Sequence, residues 1–452
     1  RAYDIRGPVG EGGITPELAR EVGLAVGSTA DDRGQRTLVV GRDGRLSSEE
    51  LAAALVEGLQ ESGRDVIDLG RVPTPVVYFA CHYLDVGSGV MVTGSHNPPD
   101  ANGFKVMLDG ETLAEGAVQA LRQRIIDQDY ASGDGSIQHM DIGADYIRRI
   151  SEDIPVALGN AFKVVVDCAN GVAGELAPRL YRALGHDVVD LYCSIDGRFP
   201  NHAPDPSDPR NLEALVERVH AEKADLGLAL DGDGDRLAVV DGRGRVVWPD
   251  RLLMAFARDV LPRHPGATVV YDVKSSGRLG AVVREARGDP EMARSGHSLM
   301  KARMAATGAP VGAEMSGHIF FKERWYGFDD GLYAGARLLE LLQAHKGSPA
   351  AFFDQLPGGV ATPEMRVPMD EGEPFAFMAR FPTADVFPGA RVSLVDGVRA
   401  DFPDGWGLLR ASNTTASLVF RFEGDDQAAL ERIQALFREE VHKVDPTLDL
   451  PF

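Results

Sequence analysis

Cysteine is scarce in these 452 residues. The three present, Cys81, Cys168 and Cys193, are odd in number and form no Cys-x-x-Cys pair, so neither a disulfide framework nor a zinc site is indicated. A reducing, cytoplasmic setting is the expectation. Long apolar runs are missing too. No window approaches about 18 consecutive apolar residues, which excludes a membrane-spanning helix, and no charged-then-apolar leader opens the chain. Positive charge is in deficit: 47 basic against 68 acidic side chains leave a formal net charge of −21. That balance argues against a grip on nucleic acid or anionic lipid, both of which need a basic footprint. It should also repel small anions at long range, so an anionic substrate is at first disfavoured.

What remains is an ordinary globular composition, 44% hydrophobic and 25% charged. At about 150 residues per domain, the length fits roughly three domains and permits two to four. One unit is written three times. In the first copy a helix from Thr15 to about Ala30 has Pro16 in its first turn, and the strand Leu38-Val39-Val40 ends in Gly41-Arg42-Asp43. Ser47 is placed to cap a second helix, and Asp65 to Leu69 reads as the next strand. A helix from about Pro73, the strand Val90-Met91-Val92, a polar loop and a returning strand Phe104 to Leu108 complete it.

The same order recurs from Ala144, with strands at 163–167, 187–191, 226–230 and 237–240. A third copy runs from Pro249, with a strand at 268–272, a helix near 298–306, the segment 311–313 and a strand at 319–321. Alternating helix and strand means α/β layers. From about residue 358 the pattern changes to several strands and one closing helix, Asp425 to Val444, an α+β unit. The fold class expected is three similar α/β domains with mixed sheets plus a smaller C-terminal α+β domain, around a central cleft. Ligands of α/β sheets favour strand ends, so the equivalent polar loops of the three copies should pool around that cleft.

Those loops carry the chemistry. In Asp231-Gly232-Asp233-Gly234-Asp235-Arg236, three carboxylates alternate with glycine. In an extended segment they would project to one side and converge on a hard cation, leaving open positions that suit Mg²⁺ and a phosphate oxygen. An EF-hand is ruled out by Arg236 and Gly242 at its sixth and twelfth positions. In Thr93-Gly94-Ser95-His96-Asn97-Pro98, Ser95 lacks the Gly-x-Ser-x-Gly elbow of a hydrolase. Alone it reads as a turn residue; beside a metal loop it becomes a candidate phosphoryl carrier, with His96 able to stabilise transferring charge. Lys105 starts the return strand, where it would point back at Ser95.

Glu314-Met315-Ser316-Gly317-His318 offers small directional groups suited to adjacent sugar hydroxyls, although a core turn explains the residues equally well. Arg410-Ala411-Ser412-Asn413-Thr414-Thr415 combines a guanidinium with hydroxyl and amide donors, a set that fits a phosphate dianion. Arg6 and Lys274 are further cations. His297 lies where an acid or base could reach the cleft.

Together these loops, with Ala2-Tyr3-Asp4-Ile5-Arg6-Gly7, Asn102-Gly103-Phe104-Lys105 and Gly296-His297-Ser298, resemble the α-D-phosphohexomutases over essentially the whole chain, in their bacterial phosphomannomutase/phosphoglucomutase branch. The resemblance implies a heart-shaped enzyme of four domains, here 1–141 (phosphoserine), 142–246 (metal-binding), 247–357 (sugar-binding) and a mobile 358–452 (phosphate clamp). It implies phosphorylation of Ser95 and Mg²⁺ held by Asp231, Asp233, Asp235 and a phosphoserine oxygen. Arg6, His96, Lys105 and Arg236 would surround the phosphoserine, with Lys105 and His297 as proton-transfer groups. Glu314 and Ser316 would hold the sugar's 3- and 4-hydroxyls. Arg410, Ser412, Asn413 and Thr414 would clamp the idle phosphate, and Tyr3, Lys274 and His318 would complete the substrate contacts.

The implied reaction is an isomerisation of hexose 1-phosphate and hexose 6-phosphate through glucose 1,6-bisphosphate or its mannose counterpart, by a cytoplasmic monomer. Met315 resembles the dual glucose/mannose enzymes, whereas aminosugar mutases usually carry Gln there. A phosphoglucosamine mutase, a phosphosugar-binding paralogue without turnover and a metal-dependent phosphatase are the alternatives. The acidic surface is compatible with such substrates, because a Debye length of about 8 Å screens it from local cations in the cleft.

Overall fold

The computed structural model describes residues 4–156, 161–383, 386–413 and 415–452; Tyr3 and Thr414 lie outside the described residues. Among the described residues the strands form four sheets. The first three share a four-strand core in one spatial order. In the first sheet it runs Ala101–Leu108, Gly89–Val92, Thr37–Arg42, Asp65–Arg71. In the second it runs Leu237–Asp241, Leu226–Leu230, Lys163–Asp167, Asp187–Leu191, and in the third Ile319–Phe321, Val311–Ala313, Thr268–Asp272, Asp289–Ala293. Each outermost return strand is antiparallel to its neighbour and the other pairs are parallel. The loop joining the two strands at the antiparallel edge is therefore topologically equivalent in all three units. Those loops hold Ser95, the three aspartates and Glu314.

The sheets are mixed and covered by helices, so their central strands read as continuous apolar runs such as Val164-Val165-Val166, all fully buried. Thr15 caps the helix Pro16–Asp32 by accepting from Leu18 N at 3.2 Å. Ser47 does not act as expected. It precedes the helix Ser48–Glu61 in a helical conformation without a capping bond, and its Oγ instead accepts from Asn102 Nδ2 at 2.9 Å. The third unit also contains a helix Leu279–Glu285 and the edge strand Asp289–Ala293, which the apolar pattern did not reveal. An edge strand buries little, so a polar Asp-Pro-Glu sequence is tolerated there.

The first three units share one unbroken apolar core that includes Val39, Phe79, Tyr146, Val166, Leu228, Leu252 and Leu332. Their loops are thereby held in fixed relative positions. The fourth unit is an antiparallel sheet with the helix Gln427–Val444 packed on it and its own core around Phe377, Phe420, Phe437 and Val441. It meets the third unit through a small apolar contact of Val273 with Trp406 and Leu408. Polar groups supply most of the rest of that seam. Arg399 lies 3.9 Å over the Trp406 ring and donates to Val273 O and Ser275 O, both at 2.7 Å. Glu423 accepts from Ser276 Oγ at 2.8 Å and Gly277 N at 3.1 Å.

Candidate active site

The serine and aspartate loops meet directly. Ser95, 1% exposed, donates from Oγ to Asp231 Oδ2 at 3.0 Å, and its Oγ lies 3.3 Å from His96 Nδ1. Its backbone is held at φ +50°, a conformation few non-glycine residues adopt. Thr93 Oγ1, accepting from Ser95 N at 2.8 Å, helps to hold it there. Gly232 is required opposite: a methyl group at that position would lie 2.3 Å from Ser95 O.

The aspartates are not arranged as an extended strand, contrary to expectation. The segment curls into a turn, closed by Gly234 N donating to Asp231 O at 3.1 Å with Gly234 at φ +77°. Curling brings ligand oxygens of Asp231, Asp233 and Asp235 within 4.8 Å of one another, all in buried carboxylates. Asp233 Oδ1 and Asp235 Oδ1 are buried with no hydrogen-bond partner among the described residues, as expected of oxygens reserved for a cation. Three hard oxygens in this geometry fit a divalent metal. Lys105, expected to point back at Ser95, comes to this cluster. Its ammonium bonds Asp233 Oδ2 at 2.7 Å and also Asp235 Oδ2.

Arg236 donates from its backbone N to Asp231 Oδ1 at 3.2 Å and from Nε to His318 Nε2 at 3.0 Å, tying the second loop to the third. Arg6 reaches the serine loop through Asn97 Oδ1 at 3.2 Å. His297 begins the helix His297–Thr307 and stacks on His318 with ring centres 5.3 Å apart. Glu314 Oε1 accepts from Gly296 N at 2.6 Å, while Glu314 Oε2 and Ser316 Oγ are buried without a partner among the described residues. Arg410 lies 3.0 Å from Asp396, whose carboxylate also accepts from Ser295 N at 3.0 Å. Lys274 pairs with Glu364 of the fourth unit at 3.1 Å. Ser412 accepts from Thr415 N at 3.2 Å within the same loop as Asn413.

Four phosphoglucomutase/phosphomannomutase domain families match the chain in order: alpha/beta/alpha domain I over residues 1–131, domain II over 144–244, domain III over 248–358 and the C-terminal domain over 364–440. A phosphomannomutase/phosphoglucomutase of Pseudomonas aeruginosa is 51% identical over 452 residues, covering 100% of this chain and 97% of that one. The chain belongs to the phosphoglucomutase/phosphomannomutase family. A phosphoglucomutase of Neisseria meningitidis is 47% identical, covering 100% and 98%. The crystal structure of a phosphoglucomutase/phosphomannomutase family protein from Burkholderia thailandensis superposes with a TM-score of 0.94 at 47% identity, covering 100% and 98%. The family consists of isomerases that interconvert hexose phosphates.

Burial and charge set the protonation states in this family member. Burial, then the neighbouring Asp233 and Asp235, push Asp231 well above the ordinary carboxylate range. Burial would raise Asp233 as well, but Lys105 outweighs it and holds that carboxyl well below the usual range. Burial opposes the charge of Lys105, yet the two aspartates outweigh it and raise the ammonium well above its ordinary value. His96 is pushed well below the ordinary imidazole value by burial and by Arg236 and Arg6, and His297 likewise by burial and by Lys301. Lys105 is therefore a cation and these two histidines are neutral at pH 7.

Several residues of this mutase-family site escaped the sequence reading. Arg45, buried beneath the serine loop, donates to Ser95 O at 2.8 Å, Asn97 O at 2.6 Å, Ala101 O at 3.0 Å and also Pro98 O. Asp43 orients Arg45 through Nε at 3.1 Å and accepts from Thr93 Oγ1 at 2.8 Å. Thr74 Oγ1 donates to Asp233 Oδ2 at 2.5 Å. Asp329 Oδ2 lies 3.0 Å from His318 Nδ1 and 3.5 Å from His297 Nδ1, and Lys301 bonds its other oxygen at 2.9 Å. The available signal was Asp329-Asp330 before a helix: Asp330 caps that helix, which leaves Asp329 without a local role.

Proposed function

We propose that this chain interconverts the 1- and 6-phosphates of glucose and mannose, with Ser95 as phosphoryl carrier and a hexose 1,6-bisphosphate as intermediate. The observation that carries the reading is the buried Ser95 Oγ 3.0 Å from Asp231, in a carboxylate triad that Lys105 only partly neutralises. Residues 1–141, 142–246, 247–357 and 358–452 then supply carrier, metal, sugar and phosphate-clamp functions respectively. Mg²⁺ is the divalent ion we assign to Asp231, Asp233, Asp235 and a phosphoserine oxygen; when bound it neutralises phosphoryl charge.

The remaining steps belong to side chains. A sugar hydroxyl oxygen attacks phosphorus on phospho-Ser95, the bond to Ser95 Oγ breaks, and the serine leaves protonated. His297, neutral before the step, is the group we assign to uptake of the hydroxyl proton, and Lys105, a cation, the group we assign to proton delivery to Ser95 Oγ. Arg6, His96 and Arg236 surround the transferring group as fixed donors and charges, the main source of acceleration in phosphoryl transfer. Glu314 Oε2 and Ser316 Oγ, both without a partner among the described residues, suit the vicinal sugar hydroxyls. That pair can meet the same groups after the bisphosphate turns by about half a revolution. Tyr3, His318 and Lys274 complete the substrate contacts, and Arg410, Ser412, Asn413 and Thr414 hold the idle phosphate.

Intact-mass spectrometry after incubation with glucose 1,6-bisphosphate tests the carrier role. One phosphoryl group on Ser95, absent from Ser95→Ala, is expected, with turnover of glucose 1-phosphate and mannose 1-phosphate exceeding that of glucosamine 1-phosphate. A persistently bare serine, or inorganic phosphate released at the rate of turnover, would overturn the reading.

A further inference from the structure

Two of the three cysteines meet at one corner of the second unit. The strands Lys163–Asp167 and Asp187–Leu191 are parallel neighbours with Asp167 opposite Leu191, so the turn after each carries its cysteine to the same end of the sheet. Cys168 Sγ and Cys193 Sγ lie 3.6 Å apart. Both thiols are free, Cys168 fully buried and Cys193 partly exposed. A disulfide has an S–S length of about 2.05 Å, so the sulfurs need approach by roughly 1.5 Å.

We propose that Cys168 and Cys193 are a modification site for peroxide-class oxidants, closing to a reversible disulfide that displaces the aspartate loop. Cys193, the accessible partner, attacks one peroxide oxygen. The O–O bond breaks, the departing hydroxide takes the thiol proton as water, and Cys193 becomes a sulfenic acid. Cys168 sulfur then attacks Cys193 sulfur, the S–O bond breaks, and the hydroxyl leaves with the Cys168 proton as a second water. Two electrons pass from the sulfurs to peroxide, and a dithiol returns them. The hydrogen bond from Cys193 and burial hold the Cys168 thiol well above its ordinary value, which suits the order with Cys193 first.

The corner has no slack. Gly174 backs onto the Cys193 carbonyl, where a methyl group would lie 1.9 Å from the oxygen. On the other side Cys168 O accepts from Gly171 N at 2.6 Å across Ala169 and Asn170, both already at positive φ (+48° and +57°). Gly171 abuts Gly232, where a methyl group on Gly171 would sit 2.8 Å from Gly232 O, and Val172 N donates to that oxygen at 3.1 Å. Gly232 stands between Asp231 and Asp233. Drawing the sulfurs together therefore pulls on the backbone that aims these carboxylates. This coupling rests on reading the aspartate loop as a metal site.

The test uses the full chain, reduced or treated with hydrogen peroxide, then denatured and alkylated. The reduced protein should alkylate at all three cysteines and the oxidised protein at Cys81 alone, with peptide mapping recovering a 168–193 cross-link. Titration calorimetry should show Mg²⁺ binding weakened about tenfold in the oxidised protein, in the range expected when the support of metal ligands is disturbed. Dithiothreitol should restore it, and Cys193→Ser should bind Mg²⁺ equally with and without peroxide. Full alkylation after peroxide, or a Cys193 sulfinic acid beside an intact Cys168 thiol, would overturn the site. A cross-link with unchanged Mg²⁺ affinity would overturn the displacement of the loop. Absence of Mg²⁺ binding in the reduced protein would overturn the metal-site reading and leave the cross-link standing.

Discussion

Lys105→Met should make the folded state depend on the metal. The ammonium is 2% exposed and Asp233 and Asp235 are fully buried, so its removal leaves two carboxylates without their counter-charge. Methionine keeps an unbranched chain of similar length, which confines the change to charge. Removing one partner of a buried ion pair costs about 3–5 kcal/mol, most of it the penalty of the stranded charge. Mg²⁺ can supply the missing charge to the same two carboxylates, and a ligand at a hundred times its Kd stabilises by about 2.7 kcal/mol. The variant should thus unfold in urea several kcal/mol earlier than the parent in EDTA and recover more than half of the deficit in saturating Mg²⁺. The parent, whose aspartates are already partly neutralised, should gain less from the metal. Urea unfolding followed by fluorescence, with and without Mg²⁺, reads both quantities. Equal stability of variant and parent in EDTA, or equal increments from Mg²⁺, would refute the argument that Lys105 holds the place of a cation.

Arg45→Lys should disable the serine loop without touching substrate. Lysine has three donors where Arg45 serves Asp43 and four backbone carbonyls. Leaving at least two buried acceptors unmet, at about 1–3 kcal/mol each, should lower stability by about 3 kcal/mol. The rate of Ser95 phosphorylation, followed by intact mass, should fall with it, and an unchanged rate would show that Arg45 does not position the serine. His202 presents Nδ1 to Ala203 O at 2.8 Å and Nε2 to Asp167 at 3.0 Å, both acceptors, so only the doubly protonated ring can donate to both. Burial opposes that charge, but Asp167 outweighs it and raises the imidazole above its ordinary value. Its stabilisation is then fully present below about pH 6.5 and lost as pH rises through the raised folded value. The stability gap between the parent and His202→Gln should narrow on going to alkaline pH in denaturant titrations; a constant gap would mean that the ring is neutral throughout.

The threefold repeat was legible because buried strands such as 163–167 and 226–230 declare themselves by apolar content, and their loops by the polar residues that interrupt it. Equivalence of position then linked Ser95 to Asp231 across 136 residues, a contact no local pattern contains. What stayed hidden shares one cause. Arg45, Asp43, Thr74 and Asp329 sit in ordinary turns and caps, and they matter only through partners brought by other elements. The aspartate loop shows the limit from the other side: the three carboxylates converge as expected but not by an extended segment, because glycines that permit an extended chain equally permit a tight turn. Strand 289–293 was missed because an edge position relaxes the demand for apolar side chains that makes strands recognisable.

The unbroken core of the first three units has a kinetic meaning. Phosphoryl transfer needs its reacting groups registered to a fraction of an ångström, whereas turning a bisphosphate end for end needs room. A single rigid cleft cannot offer both. Here the loops that hold Ser95, the three aspartates and Glu314 stand on one continuous apolar body, and the Arg410 loop stands on another joined to it through a mainly polar seam. Water can replace polar seam contacts at little cost, but it cannot replace buried apolar ones. Under the proposed reaction the chain thereby confines its freedom to the unit that carries Arg410, which would release the sugar while it turns, and holds the other three in register.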